Sequence, residues 1–306
     1  MAVPAPSRFL LRRWTADVCD ALASILIPAP CRLCGHLLNH SSRIPICKSC
    51  LESFSRVPEK ICIVCGLPMP DVAEVPGEQL KCSACRLETY GFERARSLAV
   101  YESDIVRAIM MLKFEPIEPL AKWFAERLAE IYIANEEMFS ADVVVPVPLH
   151  LEREKERGYN QVELLSKPLS KMLRLPHRGV LLMRTKPRPQ KLALTLRERW
   201  AAVRGAFEIR LGSQVDNQRV LLLDDVMTTG ATLDACSKAL RDAGAKSVVA
   251  LTVARAAHNP LPGTGESYPK GKRHERNAAG NAESPGAQTP YSDWFRCVFQ
   301  RHARWQ

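Results

Sequence analysis

Long apolar runs are missing from this sequence. No stretch reaches the ~18 uninterrupted apolar residues that a membrane-spanning helix needs, so no span is expected. No secretory leader is expected either. Arg8, Arg12 and Arg13 precede Val18, Leu22, Ile25 and Leu26 in imitation of one, but Asp17 and Asp20 interrupt the run and no small-residue cleavage site follows. Leu10 to Ile27 therefore read as an amphipathic helix, and a cytoplasmic protein is expected. No glycine-rich loop ends in Gly-Lys-Ser or Gly-Lys-Thr, which removes a nucleotide kinase built on a phosphate loop. Acids are in short supply, with 33 Asp and Glu against 43 Lys and Arg, and the net charge of +10 favours anionic partners such as phosphorylated compounds or nucleic acid. Apolar residues make up 46% of the 306, enough to bury a core in one large domain and a small one.

Cysteine is plentiful and patterned. Cys31 and Cys34, Cys47 and Cys50, Cys62 and Cys65, and Cys82 and Cys85 form four pairs of identical internal spacing. In a reducing compartment such pairs are metal knuckles, and four thiolates arranged tetrahedrally match zinc. Two structural zinc ions are expected, since a site closed by four thiolates leaves no position open for chemistry. Gly35 and Gly66 follow the first and third pairs, so a knuckle with glycine and a knuckle without it alternate. That repeat favours sequential use, Cys31/34/47/50 and Cys62/65/82/85, with a cross-braced arrangement as the alternative. The redox reading of each pair lacks the βαβ context that a thioredoxin-like motif requires. His36 and His40 could each replace a cysteine but read more simply as surface residues. Small zinc modules also dock nucleic acid or protein, which keeps an interaction role open.

In the middle of the chain, Ser97 to Tyr101 reads as a strand. Ile105, Ala108, Ile109 and Leu112 then recur at helical spacing up to Lys113 and Phe114, and Leu120, Phe124, Leu128 and Ile131 mark a second helix. Val143 to Val147 is a buried strand that Pro146-Val147-Pro148-Leu149 ends abruptly, because proline cannot continue a central ladder. A turn there can present backbone amides to a pyrophosphate. The connection leaving it carries Arg153, Lys155 and Arg157, then Gly158-Tyr159-Asn160-Gln161, before a helix through Leu164, Leu165, Leu169 and Met172. A charge run is usually a solvated face, but beside a strand end it becomes a candidate for anion contact.

The densest chemistry lies in Val220 to Thr232. Val220 to Leu223 reads as a buried strand of a parallel sheet, and Asp224 and Asp225 follow at its carboxyl end, where ligands of open α/β sheets collect. Val226 and Met227 lead to Thr228, Thr229, Gly230, Ala231 and Thr232, and then to a helical pattern of Leu233, Cys236 and Leu240. Gly230 lets backbone amides curl around an anion, with the positive end of the helix dipole behind them. Acids repel phosphate, so the pair must address another part of the same molecule. Adjacent sugar hydroxyls donate naturally to two carboxylates, and the implied ligand is a sugar phosphate. A plain Asp-rich turn capping a helix explains one hydroxyl or one carboxylate, not the whole set.

This stretch resembles the phosphoribosyl pyrophosphate signature of type I phosphoribosyltransferases. Together with VVVPVPLHLEREKERGYNQ, LLMRTKPRPQKLALTLRERWAAVRGAF and the paired zinc knuckles ahead of them, it is similar to the ComF family of competence-associated, phosphoribosyltransferase-like proteins, over about Ile27 to Ala256. The resemblance implies an α/β fold, a type I phosphoribosyltransferase-like parallel sheet with helices on both faces, preceded by a small double zinc ribbon. Asp224 and Asp225 would hold ribose hydroxyls and, through water, Mg²⁺, while residues 226–232 would hold the 5′-phosphate. Lys113, the turn from Pro146 through Val147 and Pro148 to Leu149, and Arg157 would face pyrophosphate, with Asn160 beside them. Arg184, Gln190 and Arg199 fall on the family's polar segment between strands. One departure stands out: the family has an Arg-x-x-Asn pattern, where Arg199 is followed here by Trp200, Ala201 and Ala202. The implied function is transfer of a phosphoribosyl group to an acceptor in the context of DNA uptake. Single-stranded DNA and competence proteins are implied partners, and the competing reading is a non-catalytic DNA-handling adaptor on the same fold.

The domain plan expected is an amphipathic helix over 1–27, a double zinc ribbon over 28–92, a phosphoribosyltransferase-like domain over 93–256 and a tail over 257–306. The tail is rich in Pro, Gly, Ser and Asn and reads as disordered. Its end regains Tyr291, Trp294, Phe295, Val298, Phe299 and Trp305 beside Arg296, Arg301 and Arg304, as a docking element or a single-stranded nucleic acid platform, or as an unselected extension.

Overall fold

The two apolar runs Val143 to Val147 and Val220 to Leu223 lie side by side in the computed structural model, which describes residues 29–38, 43–69, 80–87, 89–187 and 195–257. The expected helix over Leu10 to Ile27, His40, Gln190 and the tail from 258 lie outside the described residues. Four strands form a parallel sheet: β1 (Arg94–Val100), β2 (Val143–Pro146), β5 (Arg219–Met227) and β6 (Ser247–Arg255), in the order β1-β6-β5-β2. β3 (Leu182–Arg184) and β4 (Phe207–Ile209) pair antiparallel in a separate ribbon. Among the described residues no helix is long and apolar enough to cross a membrane.

The central strands read as unbroken apolar runs because both of their faces are covered. Successive side chains alternate, so Val220, Leu222, Val248 and Ala250 enter one core while Leu221, Leu223, Val249 and Leu251 enter the other. Three helices close the second of these faces: α3 (Ser103–Phe114), α4 (Glu118–Ala134) and α6 (Gln161–Leu173), through Ile105, Leu112, Phe124, Leu128 and Leu165. On the first face α8 (Ala231–Asp242) contributes Leu233, Cys236 and Leu240, and Leu182 and Phe207 of the β3–β4 ribbon pack beside it. Each such burial contributes about 1.5–3 kcal/mol, so packing and not intrinsic propensity holds these short helices in place.

The cysteine-rich module, which carries the two short helices α1 (Lys48–Glu52) and α2 (Ser83–Leu87), is attached to the sheet edge. β1 is an edge strand, and its open side is met by chain from both ribbons. Val100 N–H donates to Ser55 O at 2.8 Å and Ala95 N–H to Val64 O at 2.7 Å, with an antiparallel bridge between Arg56 and Ala99. A strand edge left open would invite pairing with another chain, and the module blocks it. Cys31, Cys50, Leu51 and Phe54 join the core on the α3–α4 face, while Cys62, Cys65, Cys82 and Cys85 join the core on the α8 face.

One segment departs from expectation. Arg153, Lys155 and Arg157 were expected in a loop, but they lie on a helix of their own, α5 (Leu151–Arg157). Its sequence is made of good helix formers, with Glu152 and Glu154 in the first turn and Lys155 and Arg157 in the last, each complementing the helix dipole. None of its residues is buried.

Candidate functional site

β5 runs further than its apolar segment. Asp224 and Asp225 were expected just beyond the strand, yet they lie within it, because β6 supplies ladder partners as far as Met227 opposite Arg255. The other neighbour stops earlier: β2 ends at Pro146 opposite Leu223, with one last bond from Val147 N–H to Leu223 O at 2.8 Å. The two acids therefore sit one step past the end of β2, at the crevice where ligands enter open parallel sheets. As neighbours on a strand they point to opposite faces, and their relative exposures are only 9% and 8%.

Asp225 is held by three elements. Its Oδ2 lies 3.0 Å from Lys113 Nζ, in the last turn of α3, and accepts from Gln161 Nε2, at the start of α6, at 3.0 Å. Gln161 in turn accepts from Arg157 Nη1 at 3.0 Å. Burial alone pushes the Asp225 carboxyl up, but Lys113, Gln161 and Arg157 together hold it below the usual carboxylate range. Tyr159 ties the arrangement together by donating to Leu112 O at 2.9 Å, so the α5–α6 corner and the end of α3 stay in register; burial raises its phenol to about 12. Asn160 caps α6 by accepting from Val162 N–H at 2.9 Å and donates to Val147 O at 3.1 Å, which fixes the turn after β2. Lys113, Arg157, the Pro146–Leu149 turn and Asp225, separate in sequence, thus share one end of the sheet.

The loop after β5 is short. Gly230 has φ of +83°, which favours glycine, and a Cβ there would meet Met227 Cε at 2.9 Å and Tyr90 Cε1 at 3.1 Å, so both side chains would have to shift. Ala231 opens α8 directly behind it, which places Thr232 in the first helical turn. Thr229 is buried, and its Oγ1 accepts from Ala231 N–H at 3.3 Å. Arg199, on α7 (Leu196–Val203), donates to Thr228 Oγ1 at 3.2 Å. Its helix starts at a capping box of Thr195 and Glu198. Arg184 stacks over Phe207 at 5.3 Å on the β3–β4 ribbon. Under the loop, burial first and Asp224 second push the Cys236 thiol well above its ordinary value, which leaves it inert.

The eight paired cysteines gather as two groups, Cys31/34/47/50 and Cys62/65/82/85, each with its sulfurs within 4.8 Å of one another. Four sulfurs about 2.3 Å from a tetrahedral zinc lie about 3.8 Å apart. The Cys34–Cys47 and Cys65–Cys82 sulfur pairs are 3.6 Å apart, so both groups fit the ion and the sequential pairing holds. The repeat extends to the backbone. Gly35 N–H bonds Cys31 O and Gly66 N–H bonds Cys62 O; Cys31 N–H bonds His36 O and Cys62 N–H bonds Leu67 O. His36 is exposed, and four cysteines complete its cluster without it.

Comparison with known proteins bears on both halves. Residues 184–266 match the phosphoribosyl transferase domain family and residues 22–87 the double zinc ribbon domain family. Competence protein F of Haemophilus influenzae is 27% identical over 225 residues, covering 71% of this chain and 93% of that protein. DNA utilization protein YhgH of Escherichia coli K12 is 28% identical, covering 73% and 96%. Competence protein ComFC of Bacillus subtilis is 27% identical, covering 69% and 84%. The chain is thus similar to the ComF proteins over both its zinc ribbon and its phosphoribosyltransferase-like domain.

Three residues that sequence reasoning missed take part in the site. Gln161 holds Asp225, and its position just after the Asn160 cap could have flagged it. Tyr90 OH donates to Thr229 O at 3.2 Å while its ring stacks between Phe92 and Trp200, at 4.7 and 6.0 Å. Nothing local marks Tyr90, since its partners come from the far end of the chain. Arg255 closes an otherwise apolar strand, and a charge at the end of such a run was the available signal.

Proposed function

We propose that the site binds phosphoribosyl pyrophosphate and transfers its phosphoribosyl group to an acceptor. The observation that carries the reading is the pairing of two carboxylates past the end of β2 with a left-handed glycine loop at the start of α8. The amides of the loop and the dipole of α8 hold the 5′-phosphate, with Thr228, Thr229 and Thr232 lending hydroxyls. Asp224 and Asp225 accept from the ribose hydroxyls. Lys113 and Arg157 face the pyrophosphate, and an arriving pyrophosphate competes with Asp225 for the Lys113 ammonium, releasing the carboxylate toward the sugar. The acceptor forms a bond to C1′ as the C1′–O bond breaks, and the bonding pair leaves with pyrophosphate, whose growing charge the two cations stabilise. Asp224 and Asp225, as hard oxygen donors, would hold Mg²⁺ through water, and the ion would supply charge neutralisation for the pyrophosphate.

Calorimetry with phosphoribosyl pyrophosphate, with and without Mg²⁺, tests binding, and pyrophosphate release with a panel of bases tests turnover. Binding without release by any base selects the second reading, a DNA-handling adaptor that keeps the ligand site. The names of the relatives, two competence proteins and a DNA utilization protein, favour a role in DNA uptake under either reading.

A further inference from the structure

Two buried arginines face the second zinc cluster, and neither has an acidic partner among the described residues. Arg255 is 0% exposed and Arg96 8%. Every other ion pair described at the site joins a base to a carboxylate, but Arg255 bonds only backbone carbonyls and a sulfur. Its Nε donates to Cys65 O at 3.2 Å, and its Nη2 lies 3.7 Å from Cys65 Sγ. Its Nη1 donates to Met227 O at 3.3 Å, to Thr228 O and to Ala256 O. Arg96 Nη1 donates to Ile63 O at 3.1 Å and to Ala95 O at 2.8 Å, and its charge feels Cys62 and Cys65. A buried cation without a counter-ion is costly. Four thiolates on one Zn²⁺ carry a net charge of about −2, which two guanidinium groups balance.

We infer that Arg255 is a positioning residue that couples zinc in the Cys62/65/82/85 cluster to the loop from Thr228 to Thr232. The inference rests on reading that loop as the phosphate site. One end of the guanidinium is neutralised by the cluster, and the other turns the Met227 and Thr228 carbonyls to one side. Carbonyls held on that side leave the amides that follow free to face a ligand. Without the cluster's negative charge, Arg255 would be an uncompensated buried cation, and the loop would lose its anchor.

The first cluster is built differently. Cys34 is exposed, and an arginine that meets that ribbon from α3, Arg107, donates to Leu33 O and Arg32 O at 2.9 Å and pairs with Asp104. None of these contacts reaches the phosphate loop. The two zinc ions of one repeat therefore have different consequences. Zinc at the second cluster conditions the phosphate loop, whereas zinc at the first holds a ribbon whose contacts run to α3, through Arg107 and through Arg32 with Glu115.

The test uses the full zinc-loaded chain and amide hydrogen exchange over residues 228–232, before and after zinc is withdrawn by a chelator, with α4 amides as a check on global folding. In the unaltered protein, withdrawal should speed loop exchange roughly tenfold or more, the order set by a hydrogen bond to a charged group. In Arg255→Met the loop should exchange fast from the start and no longer respond to zinc. One of its two zinc ions should also leave faster. Arg255→Lys keeps the charge but cannot bridge, so it should retain zinc while the loop stays loose; it serves if Arg255→Met fails to fold. Arg107→Met should leave loop exchange unchanged. Equal zinc response in the unaltered protein and Arg255→Met would overturn the coupling, as would an Arg107→Met loop as loose as that of Arg255→Met. These readouts need no ligand, so failure of phosphoribosyl pyrophosphate to protect the loop would count against the phosphate reading alone.

Discussion

Lys113 Nζ lies 3.0 Å from Asp225 Oδ2, and the two side chains are 20% and 11% exposed. An ammonium at the end of one helix thus sits on a carboxylate of the central strand where both are largely removed from water. Taking Lys113 away leaves Asp225 charged and buried, held by Gln161 with Arg157 behind it. Lys113→Met should cost roughly 1–3 kcal/mol of stability at neutral pH, measured by denaturant unfolding. Because Asp225 is depressed in the folded state, the stability it brings is present above the unfolded carboxylate value of about 3.9 and fades as pH falls below it. The penalty of Lys113→Met should therefore shrink in acid, and a penalty that grew on acidification would contradict the ion pair.

Asp224→Asn combined with Asp225→Asn should abolish binding of phosphoribosyl pyrophosphate while thermal unfolding stays cooperative. Calorimetry on the double variant decides it, and undiminished affinity would remove the acids from the ligand site.

Gly230→Ala forces a side chain into a left-handed conformation, at about 1–2 kcal/mol, and against Met227 and Tyr90. Affinity for phosphoribosyl pyrophosphate should fall further than stability does. If affinity and melting temperature were both unchanged, the loop would have room that its geometry denies.

Asp142 and Arg219 pin the start of β5 beside β2. The carboxylate accepts Arg219 N–H at 2.8 Å and the guanidinium at 2.5 to 3.2 Å, and Arg219 pushes its carboxyl down to about 2. Folded-state depression means that the contribution is full above the unfolded value and disappears as pH falls through about 2. The pair is more than a third exposed, so solvent screens it and the effect is modest. Asp142→Asn should be less stable than the unaltered protein at pH 7 and equal to it near pH 2, as followed by urea midpoints.

Metal analysis of protein purified without added zinc should give two zinc ions per chain. A value near one would leave one of the two four-cysteine groups without its ion.

Local spacing determined a good deal here. Four identical cysteine pairs fall within short loops, so their grouping is a matter of chain reach, and the sequential clusters were legible. An apolar run followed by acids, threonines and glycine is likewise contiguous, and the strand, left-handed turn and helix start follow from it. Tertiary structure decided what depends on partners far along the chain. β5 outruns its apolar segment because β6 is long enough to pair with it, which no window around Asp224 contains. The charged run at Arg153 to Arg157 became a helix because its acids and bases sit at the right ends, a feature hidden when only its net charge was weighed. Lys113 with Asp225, Tyr90 with Thr229, and Arg255 with both Cys65 and Thr228 meet only once the sheet order and the docking of the ribbons on β1 are set, since burial against distant segments decides which polar groups must find each other.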